Sequence, residues 1–202
     1  MKNFLKVIIM FVLYFGIYQT SSAQPKGIEF GGSVGYHLGG TSYDFKIPGD
    51  MDYEIVLNVP VQSGIIAELS YTRHDSELRI NVNGLPETTA FGLSTEYFHG
   101  GAVIELKKGK IVPFGLITLG ATRFAPADSR YDDEWLFSVI AGGGAKMYVS
   151  ERIGLRLQAR ALAPLEFTGG GIFCGTGGCS SGISAGFRFF SLDFSAGVFI
   201  II

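Results

Sequence analysis

From Gly186 to Ile202 the chain alternates strictly: Phe190, Leu192, Phe194, Ala196, Val198, Ile200 and Ile202 take one set of positions, and Ser191, Asp193, Ser195 and Gly197 take the other. Successive side chains of an extended strand point to opposite faces, so this segment is a strand with one apolar and one polar face. A row of aliphatic side chains needs an apolar cover, and here it continues to Ile202. Lipid is the first candidate for that cover.

The pattern recurs upstream. Strands are expected over 27–38, 53–59, 64–74, 95–106, 111–124, 135–149 and 154–167, making eight with the closing strand 186–202. Short connections near Pro60, at Lys107-Lys108-Gly109-Lys110 and at Ser150-Glu151-Arg152 alternate with longer polar ones. Pro60 is expected to mark a tight turn. With 29 glycines, 13 % aromatic and 17 % charged residues, the chain suits short strands in close approach, not a helix bundle. The class is all-β.

Residues 1–23 read as an export leader: Lys2 and Lys6 precede an apolar run over 7–17, and Ser21-Ser22-Ala23 supplies small residues for cleavage before Gln24. The run is shorter than the roughly 20 residues a spanning helix needs. Residues 24–202 then carry 14 basic and 18 acidic side chains, a net charge of −4 that argues against a nucleic-acid partner. No later apolar run is long enough for a spanning helix. A membrane crossing therefore requires a closed barrel in which every backbone group is paired.

Such a barrel fixes which face is which. On strand 154–167, Leu155, Leu157, Ala159 and Ala161 alternate with Arg156, Gln158 and Arg160, and a soluble core has no use for the second face. That polar face is assigned to the lumen. Glu29, Glu54, Glu68, Glu105, Glu166 and Asp193 then point inward with Lys146, Arg156 and Arg160. Asp193 is the first candidate partner for the two arginines. Eight strands leave a lumen just wide enough for side chains, so this set is expected to form a plug of ion pairs.

On the outer face, the loop-side ends supply one aromatic per strand: Tyr36, Tyr53, Tyr71, Phe98, Phe124, Trp135, Phe167 and Phe190. Rings at a common height suit the membrane–water interface. Strand 111–124 is ambiguous, since both of its faces are apolar. Val112, Phe114, Leu116 and Phe124 are taken as its outer set, against Pro113, Ile117, Leu119 and Ala121.

Three other features bear on chemistry. Cys174 and Cys179 flank Gly-Thr-Gly-Gly in the last long loop, and after export two cysteines this close are expected to pair as a disulfide. Two thiols fall short of the four ligands of a structural zinc site. Asp128, Asp132, Asp133 and Glu134 crowd one loop but lack the ligand spacing of a calcium loop, and solvated loop charge is the simpler account. Ser70, His99 and Glu68 compose a serine–histidine–acid set only on paper, because inward polar residues are expected on every strand.

The signal ending TSSAQ, the opening strand IEFGGSVGYHLGG, the strand PFGLITLGATRF, the arm SERIGLRLQARALAPLEF and the closing SLDFSAGVFIII together resemble the small outer-membrane β-barrel family. That family comprises eight-stranded domains similar to the membrane domain of outer membrane protein A and to the opacity-like surface proteins, and the resemblance covers the whole mature chain. It implies an up-and-down antiparallel transmembrane barrel at 24–202, with short periplasmic turns and longer extracellular loops. It further implies a Gram-negative host, outer-membrane lipid and lipopolysaccharide as surroundings, the barrel assembly machinery as partner, and no cofactor. The family's last strand usually ends in an aromatic; here Phe199 lies three positions before Ile202 and faces inward, so the insertion signal is a variant.

The expected role is therefore structural or one of surface interaction, carried by a monomeric barrel whose loops meet an unidentified ligand. A conduit for small apolar molecules is the alternative, through a lumen partly lined by Val56, Ile66, Val103, Ile140 and Leu162, which are scattered among charges in the sequence. A lipid-modifying enzyme is a third class, and no catalytic or metal-binding residue is assigned.

Overall fold

A computed structural model describes residues 27–39, 45–46, 49–80, 88–128, 132–175, 178–187 and 190–202. Among these described residues there are ten strands: β1 (Glu29–Leu38), β2 (Phe45–Lys46), β3 (Asp50–Gln62), β4 (Ile65–Ile80), β5 (Thr88–Glu105), β6 (Ile111–Pro126), β7 (Glu134–Tyr148), β8 (Ile153–Gly175), β9 (Gly178–Phe187) and β10 (Ser191–Ile201). Eight of them form the staves of a closed antiparallel barrel in the order β1-β3-β4-β5-β6-β7-β8-β10. Closure comes from β10, which pairs with β8 on one edge and β1 on the other. No backbone edge of the staves is left open at the seam, as a hydrocarbon surround demands.

The two remaining strands lie at the loop end. β2 pairs with the far end of β4, and β9 folds back along the upper half of β8, so the stretch expected as a loop over 168–184 is largely a two-stranded ribbon. Residues 186 and 187, expected in the last stave, end β9 instead. Pro60 also departs from expectation. It lies within β3, where the register with β4 shifts between Pro60 and Gln62, since a proline without an N–H is accommodated at an irregularity in the ladder. The turn itself falls at Ser63-Gly64, and Gly64 takes the positive φ of 78° that a two-residue hairpin asks of glycine. The leader expected at residues 1–23 lies outside the described residues.

The distribution of side chains is inverted relative to a water-soluble barrel. Leu69, Ile117 and Val198 are each more than half exposed, whereas Lys146 and Asp193 are wholly buried. Alternation produces this clearly on β10, which buries Ser191, Asp193 and Ser195 and exposes Leu192, Phe194 and Ala196. Burying a charge without a partner costs several kcal/mol, so such an interior must be internally paired.

Candidate functional site: the braced lumen

The lumen is stacked in three ionic layers. At the turn end, Lys146 of β7 donates to Glu29 Oε2 at 2.6 Å and lies 3.6 Å from Glu105 Oε1. Asn58 and Tyr148 donate to the same Glu29 carboxylate at 3.0 and 3.3 Å. The Lys146 ammonium is 5.7 Å from the centroid of the Phe199 ring, which meets Tyr148 edge-on. Gly154 makes room for that ring, since a Cβ there would sit 2.2 Å from a Phe199 ring carbon.

In the middle layer Arg156 of β8 reaches across to Glu68 of β4 at 2.6 Å, and its Nε donates to Gln158 Oε1 at 2.7 Å. Its guanidinium lies over the Phe114 ring at 4.8 Å, a cation–π contact inside the barrel. Gln158 in turn donates to Glu54 at 2.5 Å and to Ser195 at 3.0 Å. Truncating Arg156 strands the Glu68 carboxylate in a dry interior. We expect Arg156→Ala to lower the melting temperature of the compact, faster-migrating gel species; an unchanged melting temperature would remove the bracing role.

Arg160 organises the third layer. Its Nε donates to Asp193 Oδ1 at 2.7 Å, its Nη1 pairs with Glu54 Oε1, and the same Nη1 donates to Thr72 at 3.3 Å. Arg160 and Asp193 are directly opposed in the β8–β10 ladder, so backbone register delivers this pair. Gly142, opposite Arg160 on β7, is needed here: a Cβ would approach the Ala159 carbonyl oxygen to 2.4 Å and Arg160 Cγ to 3.0 Å. Above Arg160, the buried His37 and His74 rings stack with centroids 4.1 Å apart.

The structure thus brings Glu29, Glu105 and Lys146 together, joins Arg156 to Glu68, and joins Arg160 to Asp193 and Glu54. Glu166 lies on β8 with its side chain outside the described residues. Asp52 is a wholly buried acid that sequence reading assigned to a polar connection. Its even-numbered parity with Glu54, Val56 and Asn58 was the available signal. Of the composed catalytic set, register places Ser70 opposite His99, but both ring nitrogens of His99 are engaged elsewhere. His99 hydrogen-bonds Thr118 and Ser138, at 3.2 and 2.8 Å, and Glu68 is held by Arg156.

One strand, β6, faces the opposite way to the sequence expectation. Val112, Phe114, Leu116 and Phe124 of β6 point into the barrel and are buried, while Ile111, Ile117 and Leu119 face outward. Phe124 therefore leaves the outer aromatic ring. The physical reason is that the lumen has an apolar side: Ile66, Tyr97, Val103, Phe114, Leu116, Ile140 and Leu162 form one cluster along β4 to β8. Four of the five residues expected to be scattered among charges are gathered there, and Val56 stands apart. Both faces of β6 are consequently apolar, which erases the contrast on which periodicity relies.

The outer ring otherwise has exposed Tyr36, Tyr53, Phe98, Trp135 and Phe190, with Tyr71 half-buried against Phe98 at 5.0 Å. Phe98 stacks on Trp135 at 5.8 Å. Phe194, opposite Tyr36 in the β1–β10 ladder, adds an outward aromatic that a count of one ring per strand passed over. The Phe167 side chain lies outside the described residues. Just beyond the ring, Arg73 and Arg123 flank Glu96 at 3.6 and 2.8 Å and pair outward with Asp75 and Asp133. Cys174 and Cys179 occupy opposed positions in the β8–β9 ladder, their side chains again outside the described residues. Among the described residues no group of three histidine, cysteine or acidic side chains is placed to hold a metal ion.

No family model and no curated protein matches the chain. Solved structures do. Neisserial surface protein A matches over 87 % of this chain and 97 % of its own, with a TM-score of 0.58 at 12 % identity. The outer membrane protein OprG from Pseudomonas aeruginosa matches over 87 % and 94 %, with a TM-score of 0.55 at 11 % identity. The fold is that of the small outer-membrane barrels. At these identities the likeness is one of architecture.

Proposed function

We propose that this chain is an integral protein of the bacterial outer membrane, a scaffold closed by an ionic plug whose loops carry its recognition. The observation that carries this reading is the inverted surface: paired charge inside, and outside a continuous wall of Ile, Leu, Val and Phe topped by aromatic rings. A contiguous apolar surface of this extent is untenable in water and suits a bilayer. The leader at 1–23 and a disulfide between Cys174 and Cys179 belong to the same proposal, since both call for an exported, oxidising environment. Fractionation with the outer membrane, and faster gel migration unheated than boiled, are the expected results. A wholly soluble product that migrates alike in both states would overturn the reading.

The plug also bears on transport. The apolar lumen residues pack against one another, with Val103 and Leu162 fully buried, and the ionic braces cross the remaining width. Both features favour a closed scaffold over a conduit. The refolded protein is expected to give no reproducible unit conductance in planar bilayers; discrete, repeatable steps would favour the conduit.

A further inference from the structure

Among the described residues the two ends of the barrel differ in net charge: at the loop end the cations Arg73 and Arg123 are paired with Asp75 and Asp133, and further acids surround them. At the turn end, Lys107, Lys108 and Lys110 lie between β5 and β6, and Arg152 lies between β7 and β8; Glu151 is the single acid among these turn residues. At the loop end Asp50, Asp75, Glu77, Asp132, Asp133 and Glu134 are all exposed. In a chain that is net −4 beyond residue 23, the turn rim thus carries a local excess of positive charge, four cations to one acid among its turn residues. Among the described residues none of these four cations is ion-paired; Lys108 donates only to Ser63 Oγ of the neighbouring turn, at 3.0 Å. The rim is directly continuous with the apolar wall, through the exposed Val61, Leu106, Ile111 and Val149. Lysine stems lie along apolar surface while the ammonium reaches the nearest polar layer. Next to a hydrocarbon-facing wall, that layer is the lipid headgroup region.

We propose that this basic rim is a docking face for anionic phospholipid headgroups in the leaflet at the turn end. The inference rests on the membrane reading above and goes beyond it by assigning a lipid class and a leaflet. Each cation near a negatively charged membrane surface contributes an attraction that fades within a Debye length, and four on one rim act together. Net charge alone makes the opposite demand, because a uniformly acidic chain is repelled by an anionic surface.

The test is refolding into vesicles of phosphatidylcholine and into vesicles of phosphatidylcholine and phosphatidylglycerol in equal parts, with urea titrations read by gel mobility. The folding constant is expected to rise on the order of tenfold with phosphatidylglycerol at low salt and to lose that gain at high salt. The variant K107Q/K108Q/K110Q/R152Q should fold as wild type in phosphatidylcholine and show no gain. If it does not fold there, the double variants K107Q/K108Q and K110Q/R152Q should each lose part of the gain. D132N/D133N at the loop end should keep it. Indifference of the wild type to phosphatidylglycerol, or an undiminished gain in the rim variants, overturns the assignment while leaving the membrane reading intact. Indifference combined with rim-dependent binding to cell-wall sacculi would assign the rim to carboxylates of the wall and overturn it equally. Failure to fold in either vesicle would count against the membrane reading itself.

Discussion

Arg160→Met is expected to destabilise the barrel by about 3–5 kcal/mol, the cost of removing one partner from a buried ionic group. The residue is almost wholly buried, and its loss leaves Asp193 and Glu54 facing each other's charge without the guanidinium between them. The comparison that isolates this cause is R160M with E54Q and D193N added. With these two carboxylates neutralised, most of the loss should be recovered, because neither is left as a buried charge deprived of its guanidinium partner. Urea unfolding in bilayers provides the measurement. A triple variant no more stable than R160M alone would mean that Arg160 acts by filling space.

Leu157→Arg is the second large effect. Leu157 is outward, about half exposed and mid-way along the barrel part of β8, and arginine on a lipid face near the bilayer midplane costs about 2–4 kcal/mol. The same change at an exposed site of a water-soluble protein usually falls within about 0.5 kcal/mol. The experiment therefore decides what surrounds the wall, independently of fractionation. Stability in bilayers unchanged by L157R would place that wall in contact with water or protein.

The legibility of this chain followed contrast between faces. β8 was unambiguous because Arg156, Gln158 and Arg160 share a face opposite Leu155, Leu157 and Ala159, and register then set Arg160 against Asp193. β6 was unreadable because its lumen face joins the apolar cluster, so neither parity stood out; only Thr118 and Thr122, both buried, marked the inner side. Cross-barrel partners were out of reach for another reason. Arg156 and Glu68 sit on strands that are not neighbours, and pairing across a lumen depends on shear and side-chain reach, which alternation does not encode. The β8–β9 ribbon was hidden because glycines and small polar residues read equally as loop.

The braces also tie the first half of the chain to the last third. Every cation in the lumen network comes from β7 or β8, whereas Glu29, Glu54, Glu68 and Glu105 come from β1, β3, β4 and β5. The paired residues are separated by 117, 88 and 106 positions in the chain. From β1 to β6 the lumen network contributes only negative charge. The acids of β1, β3, β4 and β5 are therefore balanced only in the complete barrel, where β7 and β8 supply the lysine and the arginines.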